Sequence, residues 1–239
     1  MRVLMPASEV SPLIKIGGLG DVVGSLPKAL EALGVNVDVA VPLYAGVNTK
    51  GIKLHKSFEL EVPYGGNSHS VTVYRTKLPR SSVDVFLFNS KEYFSDLGKS
   101  AFLNNIHETE AFSFFNKVVV AFIKAGFNTY DIVHCNDWHT GLIPLFLKDE
   151  FPDNPPKVLF TIHNLMYQGR GSTDILKNAD IIPGQHPLVD WDISDGDLNM
   201  LLQGISLSDY VNTVSESYAQ EILTPEFGGV FHSILTNRA

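Results

Sequence analysis

Short apolar runs with strand character alternate with runs of helical period along most of this chain, and that alternation limits the fold more than any other feature. Val3-Leu4-Met5 reads as a strand at the very start. Val22, Leu26, Ala29, Leu30 and Leu33 then recur at helical spacing and predict a helix over residues 21–33, stopped by Gly34. Pro27 inside that run predicts a kink, or marks the helix's true first turn. Residues 35–41 alternate strictly and read as the second strand. Further strands are expected over 131–134, 158–162 and 210–214, and helices over 108–124, 140–148, before 210, and over 215–223. Strands separated by helices are βαβ units, which build a mainly parallel, doubly wound α/β sheet. Two stretches break the pattern. Residues 54–88 hold three strand-like runs, the first two separated by Pro63, Gly65, Gly66 and Asn67, and read as a small β-meander or hairpin inserted among the α/β units. Residues 169–197 show no clean period and read as a long loop with short helices. No repeat or low-complexity tract divides the chain, and 239 residues suit one large domain or two small ones.

Composition narrows the function. At 44% hydrophobic residues the chain has ample material for a core. Its 26 acidic against 18 basic residues leave a net charge of −8. Nucleic acid attracts basic fields, so no nucleic-acid partner is expected, and an anionic ligand would need locally placed donors. A single cysteine, Cys135, forms no disulfide within the chain. That fits a reducing, cytoplasmic setting. No apolar run reaches membrane-spanning length, and the N-terminus lacks a signal or transit pattern, so no membrane partner is expected.

In an open α/β sheet, ligands bind beyond the carboxyl ends of the strands. Four such ends carry polar clusters here. The first leads to Ser8 and Glu9, then to Lys15-Ile16-Gly17-Gly18-Leu19-Gly20-Asp21. The next leads to His134, Asn136, Asp137, Trp138 and His139. A third leads to His163, Asn164 and Tyr167-Gln168-Gly169, and a fourth to Ser215, Glu216 and Ser217. Three of the four hold the polar and aromatic mixture of a carbohydrate site.

Gly17, Gly18 and Gly20 precede a helix start with Lys15 beside them. Such a loop suits a phosphate or pyrophosphate, because glycine permits close backbone approach and a helix N-terminus offers N–H groups. The same glycines also serve a tight strand-to-helix turn. A dinucleotide fingerprint, Gly18-x-Gly20-x-x-x-Gly24 with Asp38 downstream, fits poorly. The interval after the first strand is too long, and Asp38 sits in mid-strand. His134, His139 and His163 with Asp137 match no zinc spacing, so no metal is expected. Trp138 and Trp191 offer faces for a sugar, or serve the core, while Phe112, Phe114, Phe115 and Phe122 form a core stripe. Cys135 reads as structural, and no Gly-x-Ser-x-Gly elbow is present.

Taken in order, these blocks resemble a known family. Lys15-Ile16-Gly17-Gly18-Leu19-Gly20-Asp21-Val22, after Ser8-Glu9-Val10-x-Pro12, is similar to the Lys-Thr-Gly-Gly-Leu signature of bacterial glycogen synthases and plant starch synthases. His134-Cys135-Asn136-Asp137-Trp138-His139-Thr140-Gly141-Leu142 resembles a second block, and Phe160 to Gly169 (FTIHNLMYQG) a third. Val211 to Ser215 (VNTVS) and Thr224 to Gly228 (TPEFG) resemble two more. The resemblance implies one half of a GT-B glycosyltransferase, the Rossmann-like N-terminal, acceptor-side domain, with the C-terminal nucleotide-sugar domain absent. It implies transfer of glucose from ADP-glucose to the non-reducing end of an α-1,4-glucan with retention, needing that C-terminal domain in cis or in trans. No cofactor is implied beyond the donor substrate.

By the same resemblance, His163, Asp137 and Lys15 are catalytic candidates. Lys15 and Gly18 would reach the donor phosphates, His163 the glucosyl unit and the pyrophosphate side, and Asp137 would lie beside the transfer site. Glu9, Gly17, Asp21, Trp138 and Asn164 join them as substrate-binding candidates, with Tyr93 as an acceptor-side aromatic. Three residues depart from the family pattern. Ile16 replaces a threonine, Ala111 an arginine before Phe112, and Leu202 a lysine after Asn199; the last two remove positive charge. A stand-alone, inactive module that binds glucan or donor is the alternative reading.

Overall fold

The computed structural model describes residues 1–45, 47–49, 52–94 and 106–238, with the side chains of residues 106 and 107 left aside. The elements run β1 (Arg2–Pro6), α1 (Gly18–Ala32), β2 (Asn36–Pro42), β3 (His55–Tyr64), β4 (Asn67–Lys77), β5 (Asp84–Asn89), α2 (Lys91–Phe94), α3 (Ile106–Lys124), β6 (Ile132–Asn136), α4 (Ile143–Glu150) and β7 (Lys157–Ile162). There follow β8 (Arg170–Ser172), α5 (Asp174–Asn178), α6 (Pro187–Asp192), β9 (Asp197–Asn199), α7 (Met200–Leu207), β10 (Tyr210–Thr213), α8 (Glu216–Glu221), α9 (Pro225–Gly228) and α10 (His232–Thr236).

Eight strands form one sheet in the order β10-β7-β6-β1-β2-β5-β4-β3. Every pairing from β10 to β5 is parallel. The meander inserted among the α/β units continues the same sheet. β5 joins β2 in parallel, β4 returns antiparallel to β5, and β3 closes the edge against β4. Burial explains the different sequence patterns. Val3, Leu4 and Met5 of β1 are all buried, as are Val85 to Phe88 of β5. Successive strand side chains point to opposite faces, so both faces of the central sheet are covered, and such strands read as continuous apolar runs. In β3, Leu60, Val62 and Tyr64 are buried while Glu59, Glu61 and Pro63 face out, the alternation of a one-sided edge hairpin.

The alternation in β2 has another origin. Asp38 is buried, and its Oδ2 accepts from Arg2, Asn128 and Tyr130 at 2.9–3.0 Å. Helix α1 begins at Gly18 and runs through Pro27, its tenth residue, so Pro27 does not mark the first turn. It removes only the bond that would have gone to the Val23 carbonyl, and the residue is buried instead. The aromatic stripe of α3 is core throughout. Residues 169–197 do contain short helices, but also an unpredicted ribbon, β8 antiparallel to β9.

Candidate active site

The chain enters the sheet at its centre, adds β2 and β5 on one side, then returns to place β6, β7 and β10 on the other. The winding reverses between β1 and β6, which is where an open α/β sheet leaves a crevice at its carboxyl edge. A cleft of about 560 Å³ lies there. Glu9, Ile16, Gly17, Gly18, Leu19 and Val22 line it from the β1–α1 segment. Asp137, Trp138 and His139 follow β6, His163, Asn164 and Tyr167 follow β7, and Val214 follows β10. The four strand ends that the sequence singled out are thus neighbours. The fourth contributes Val214 rather than Ser215, whose hydroxyl caps α8 by accepting from the Tyr218 N–H at 3.2 Å.

Glu9 organises the glycine segment. Its Oε2 accepts the N–H groups of Ile16 (2.5 Å) and Gly17 (2.8 Å). A carboxylate of the protein thus takes two of the backbone donors that an anion-binding loop would offer. The glycines differ in what they do. A Cβ on Gly24 would stand 2.6 Å from the Ser11 carbonyl oxygen, and one on Gly20 would stand 3.0 Å from Glu9 Oε2. Those two pack the helix against the preceding loop. A Cβ on Gly18 would meet nothing within 4 Å, so no internal packing demands glycine at this point in the cleft wall.

Asp137 is the hub of the other wall. Its Oδ1 accepts the His163 N–H at 2.7 Å and, more weakly, the Asn164 N–H at 3.4 Å. It thereby fixes the loop after β7 to the loop after β6. Its backbone stands at φ 55°, ψ −177°, a region almost reserved for glycine and costing about 1–3 kcal/mol. Its own N–H bonded to the Thr161 carbonyl and its carbonyl bonded to Thr140 hold it there. From behind, Asn116 of α3 donates to the His139 carbonyl and accepts from the Leu142 N–H. Burial pushes the Asp137 carboxyl up to about 7, against the pull of the two N–H donors and with some help from the Glu9 charge.

His163 lies half-buried, with Nε2 3.0 Å from the Asn136 Oδ1. Burial lowers its pKa to about 4. His134 and His139 are depressed to about 4 and about 3 by burial and by His163. All three imidazoles are therefore neutral at pH 7. His134 Nε2 is engaged with Thr161 Oγ1 at 2.6 Å. Among the described residues no group of three or more His, Cys, Asp or Glu side chains is arranged to hold a metal ion. Cys135 is buried and its thiol is pushed up by burial, so it offers no nucleophile.

Several predicted binding residues are placed differently. Trp138 is 2% exposed, wedged against Phe112 and His139. Gly169 (φ 61°) sits so close that a Cβ there would come within 2.2 Å of the ring. Its indole face is core and cannot stack on a sugar. Lys15 does not line the cleft; its Nζ pairs with Asp21 Oδ2 at 2.7 Å on the surface. Tyr93 is also elsewhere, stacked on Phe114 at 4.0 Å with its hydroxyl 3.4 Å from His69. Of the three departures from the family pattern, only Ile16 lines the cleft. Ala111 and Leu202 are buried away from it. The reading from strand ends named Tyr167 and Asn136 without assigning either a role. Tyr167 proves to be an exposed cleft aromatic, signalled by its place in the Tyr-Gln-Gly block, whereas no local signal pairs Asn136 with His163.

Comparison with known proteins agrees with this architecture. Residues 2–237 match the family model described as starch synthase catalytic domain. A glycogen synthase of Moorella thermoacetica is 36% identical, the match covering 100% of this chain and 48% of that protein. One of Fervidobacterium nodosum is 37% identical over 100% of this chain and 50% of its own length. The chain thus spans about half the length of the curated relatives it matches. The catalytic domain of starch synthase IV from Arabidopsis thaliana, solved bound to ADP and acarbose, superposes with a TM-score of 0.89 at 28% identity, covering 99% of this chain and 49% of that one. With a family match over nearly its whole length and a closely superposing solved relative, the chain belongs to the starch synthase catalytic domain family.

Proposed function

We propose that this chain is the acceptor-side half of a glycogen or starch synthase, which transfers glucose from ADP-glucose to the non-reducing end of an α-1,4-glucan with retention. The observation that carries the reading is the chemistry of the cleft. Glu9, Asp137, His163, Asn164 and Tyr167 supply acceptors and donors suited to hydroxyl groups, yet among the described residues no lysine or arginine lines it. Two carboxyl groups with no cation beside them are no match for a pyrophosphate. The cations for a nucleoside diphosphate must then come from outside the cleft wall, chiefly from a second domain facing this rim, in cis or in trans, as the half-length coverage of the relatives also suggests. The ADP and acarbose in the superposing plant structure support a nucleotide donor and a glucan-like acceptor here.

In this reading His163 contacts the glucosyl unit, and Asp137 acts by holding the His163–Asn164 backbone in place. Gly18 leaves room for the donor to approach the first turn of α1. Lys15 turns from Asp21 to the phosphates at small cost, because an exposed ion pair is worth about 0–1 kcal/mol. No activated nucleophile is required, since catalysis rests on positioning and charge stabilisation, and neither a metal nor a further cofactor is invoked. Cytoplasmic placement belongs to the same proposal; among the described residues no helix is long and apolar enough to cross a membrane.

The test is glucosyl transfer from ADP-glucose to glycogen by the chain alone and with a glycogen synthase C-terminal domain supplied in trans. Transfer is expected only in combination, and His163→Ala abolishes it. Robust turnover by the chain alone sinks the half-site reading. Silence in both, with glycogen retarding the chain in an affinity gel, favours the binding module.

A further inference from the structure

Asn136 makes four kinds of contact, and together they leave its side chain no choice of orientation. It is buried at 1% exposure on the last residue of β6. Its Nδ2 faces two backbone carbonyls, that of Pro6 at 3.3 Å and that of His134 at 3.0 Å. Its backbone N–H donates to the Thr140 hydroxyl at 2.7 Å, and its carbonyl accepts from that hydroxyl at 3.0 Å. Carbonyl oxygens only accept, so the amide nitrogen must face them and Oδ1 must face the other way. That oxygen lies 3.0 Å from His163 Nε2. An amide oxygen also only accepts. The proton of the hydrogen bond therefore belongs to the histidine.

From this geometry we propose that Asn136 is a positioning residue that locks His163 in its Nε2–H tautomer, leaving Nδ1 as a permanent acceptor for a ligand hydroxyl. A neutral imidazole carries one proton, and fixing it on one nitrogen decides what the other can do. Among the described residues nothing hydrogen-bonds Nδ1. With the ring's single proton turned to Asn136, the side chain accepts from a sugar hydroxyl but does not donate to a phosphate oxygen. The donor's phosphates then have to be met by other groups, as the lack of cleft cations already requires. The backbone of the same residue is fixed by Asp137, so ring and chain are set by adjacent residues of one strand end. The functional half of this proposal rests on the glucosyl-transfer reading; the tautomer itself does not.

The experiment is a long-range proton–nitrogen correlation spectrum of the 15N-histidine-labelled chain near neutral pH, with His163 assigned by its loss in His163→Gln. The expected result is a protonated Nε2 and an unprotonated Nδ1. A protonated Nδ1, or an even mixture of tautomers, overturns the proposal on the native chain alone, whatever variants do. Asn136→Leu removes the acceptor and should shift His163 toward a tautomer mixture; an unchanged tautomer in a folded variant overturns the proposal. Asn136→Asp, with a carboxyl proton in place of the amide N–H groups that face the Pro6 and His134 carbonyls, keeps an acceptor toward His163 and so should keep the Nε2–H form. In the complemented transfer assay, Asn136→Leu should lose about tenfold or more, as a mis-set histidine tautomer does elsewhere, while Asn136→Asp should restore part of it. Correct tautomers with no transfer in any combination would sink the enzymatic reading and leave the tautomer lock standing. Transfer with the wrong native tautomer would do the reverse.

Discussion

Replacing Asp137 with asparagine should uncouple the stability of this domain from pH in a defined window. Burial raises the Asp137 carboxyl to about 7, whereas in the unfolded chain an aspartate titrates near 3.9. The folded protein therefore holds this proton more tightly than the unfolded chain. A group raised on folding contributes its stability fully below the unfolded pKa, and that contribution is lost as pH rises through the folded value. Three pKa units at 1.36 kcal/mol each give a loss on the order of 4 kcal/mol between about pH 4 and pH 8. Asparagine keeps the shape, the Oδ1 that accepts from the His163 and Asn164 N–H groups, and the same backbone cost at φ 55°, but has no charge to bury. Asp192 is likewise raised by burial, to about 6, and is common to both proteins. The informative quantity is thus the difference between them. Urea unfolding at several pH values, extrapolated linearly, should show the asparagine variant gaining on the parent by several kcal/mol from acid to alkaline pH. A difference that stays flat within about 1 kcal/mol would refute the claim that a buried, reluctant carboxylate sits at this strand end.

The glycines and Glu9 give sharper local tests. Gly24→Ala should destabilise the fold by about 1–3 kcal/mol, because the new Cβ lands on the Ser11 carbonyl. Gly18→Ala, with open space around it, should leave urea stability within about 1 kcal/mol while weakening ADP-glucose-dependent transfer in the complemented assay. If both behave alike in unfolding, the division into packing and cleft glycines is wrong. Glu9→Ala removes the acceptor of the Ile16 and Gly17 N–H groups on an exposed segment that water can reach, and should cost about 1–2 kcal/mol. Hydrogen exchange at those two amides, just ahead of α1, should accelerate well beyond that of the helix, and unchanged exchange there would count against Glu9 organising this segment.

Which properties were legible before folding follows from the range of the interactions behind them. Period and apolarity are local, so the eight strands of the main sheet and the longer helices could be read from neighbouring residues, as could the polar clusters beyond β1, β6, β7 and β10. The expectation that ligands gather at carboxyl ends then placed Glu9, Gly17, Gly18, Asp137, His163 and Asn164 together, and the cleft is lined by all six. Other properties depend on partners far away in the chain. That β3, β4 and β5 extend the main sheet is decided by the pairing of β5 with β2, between segments over forty residues apart. That Trp138 is core rather than a sugar platform is decided by Gly169 and Phe112 closing over it. Lys15 looks like a free cation until Asp21 comes one turn into α1 and claims it. Asn136 looks like one polar residue among several until the Pro6 and His134 carbonyls turn its amide toward His163. Strand and helix came from periodicity; the charge, tautomer and accessibility of the groups in the cleft came from contacts that only the packed sheet brings within hydrogen-bonding distance.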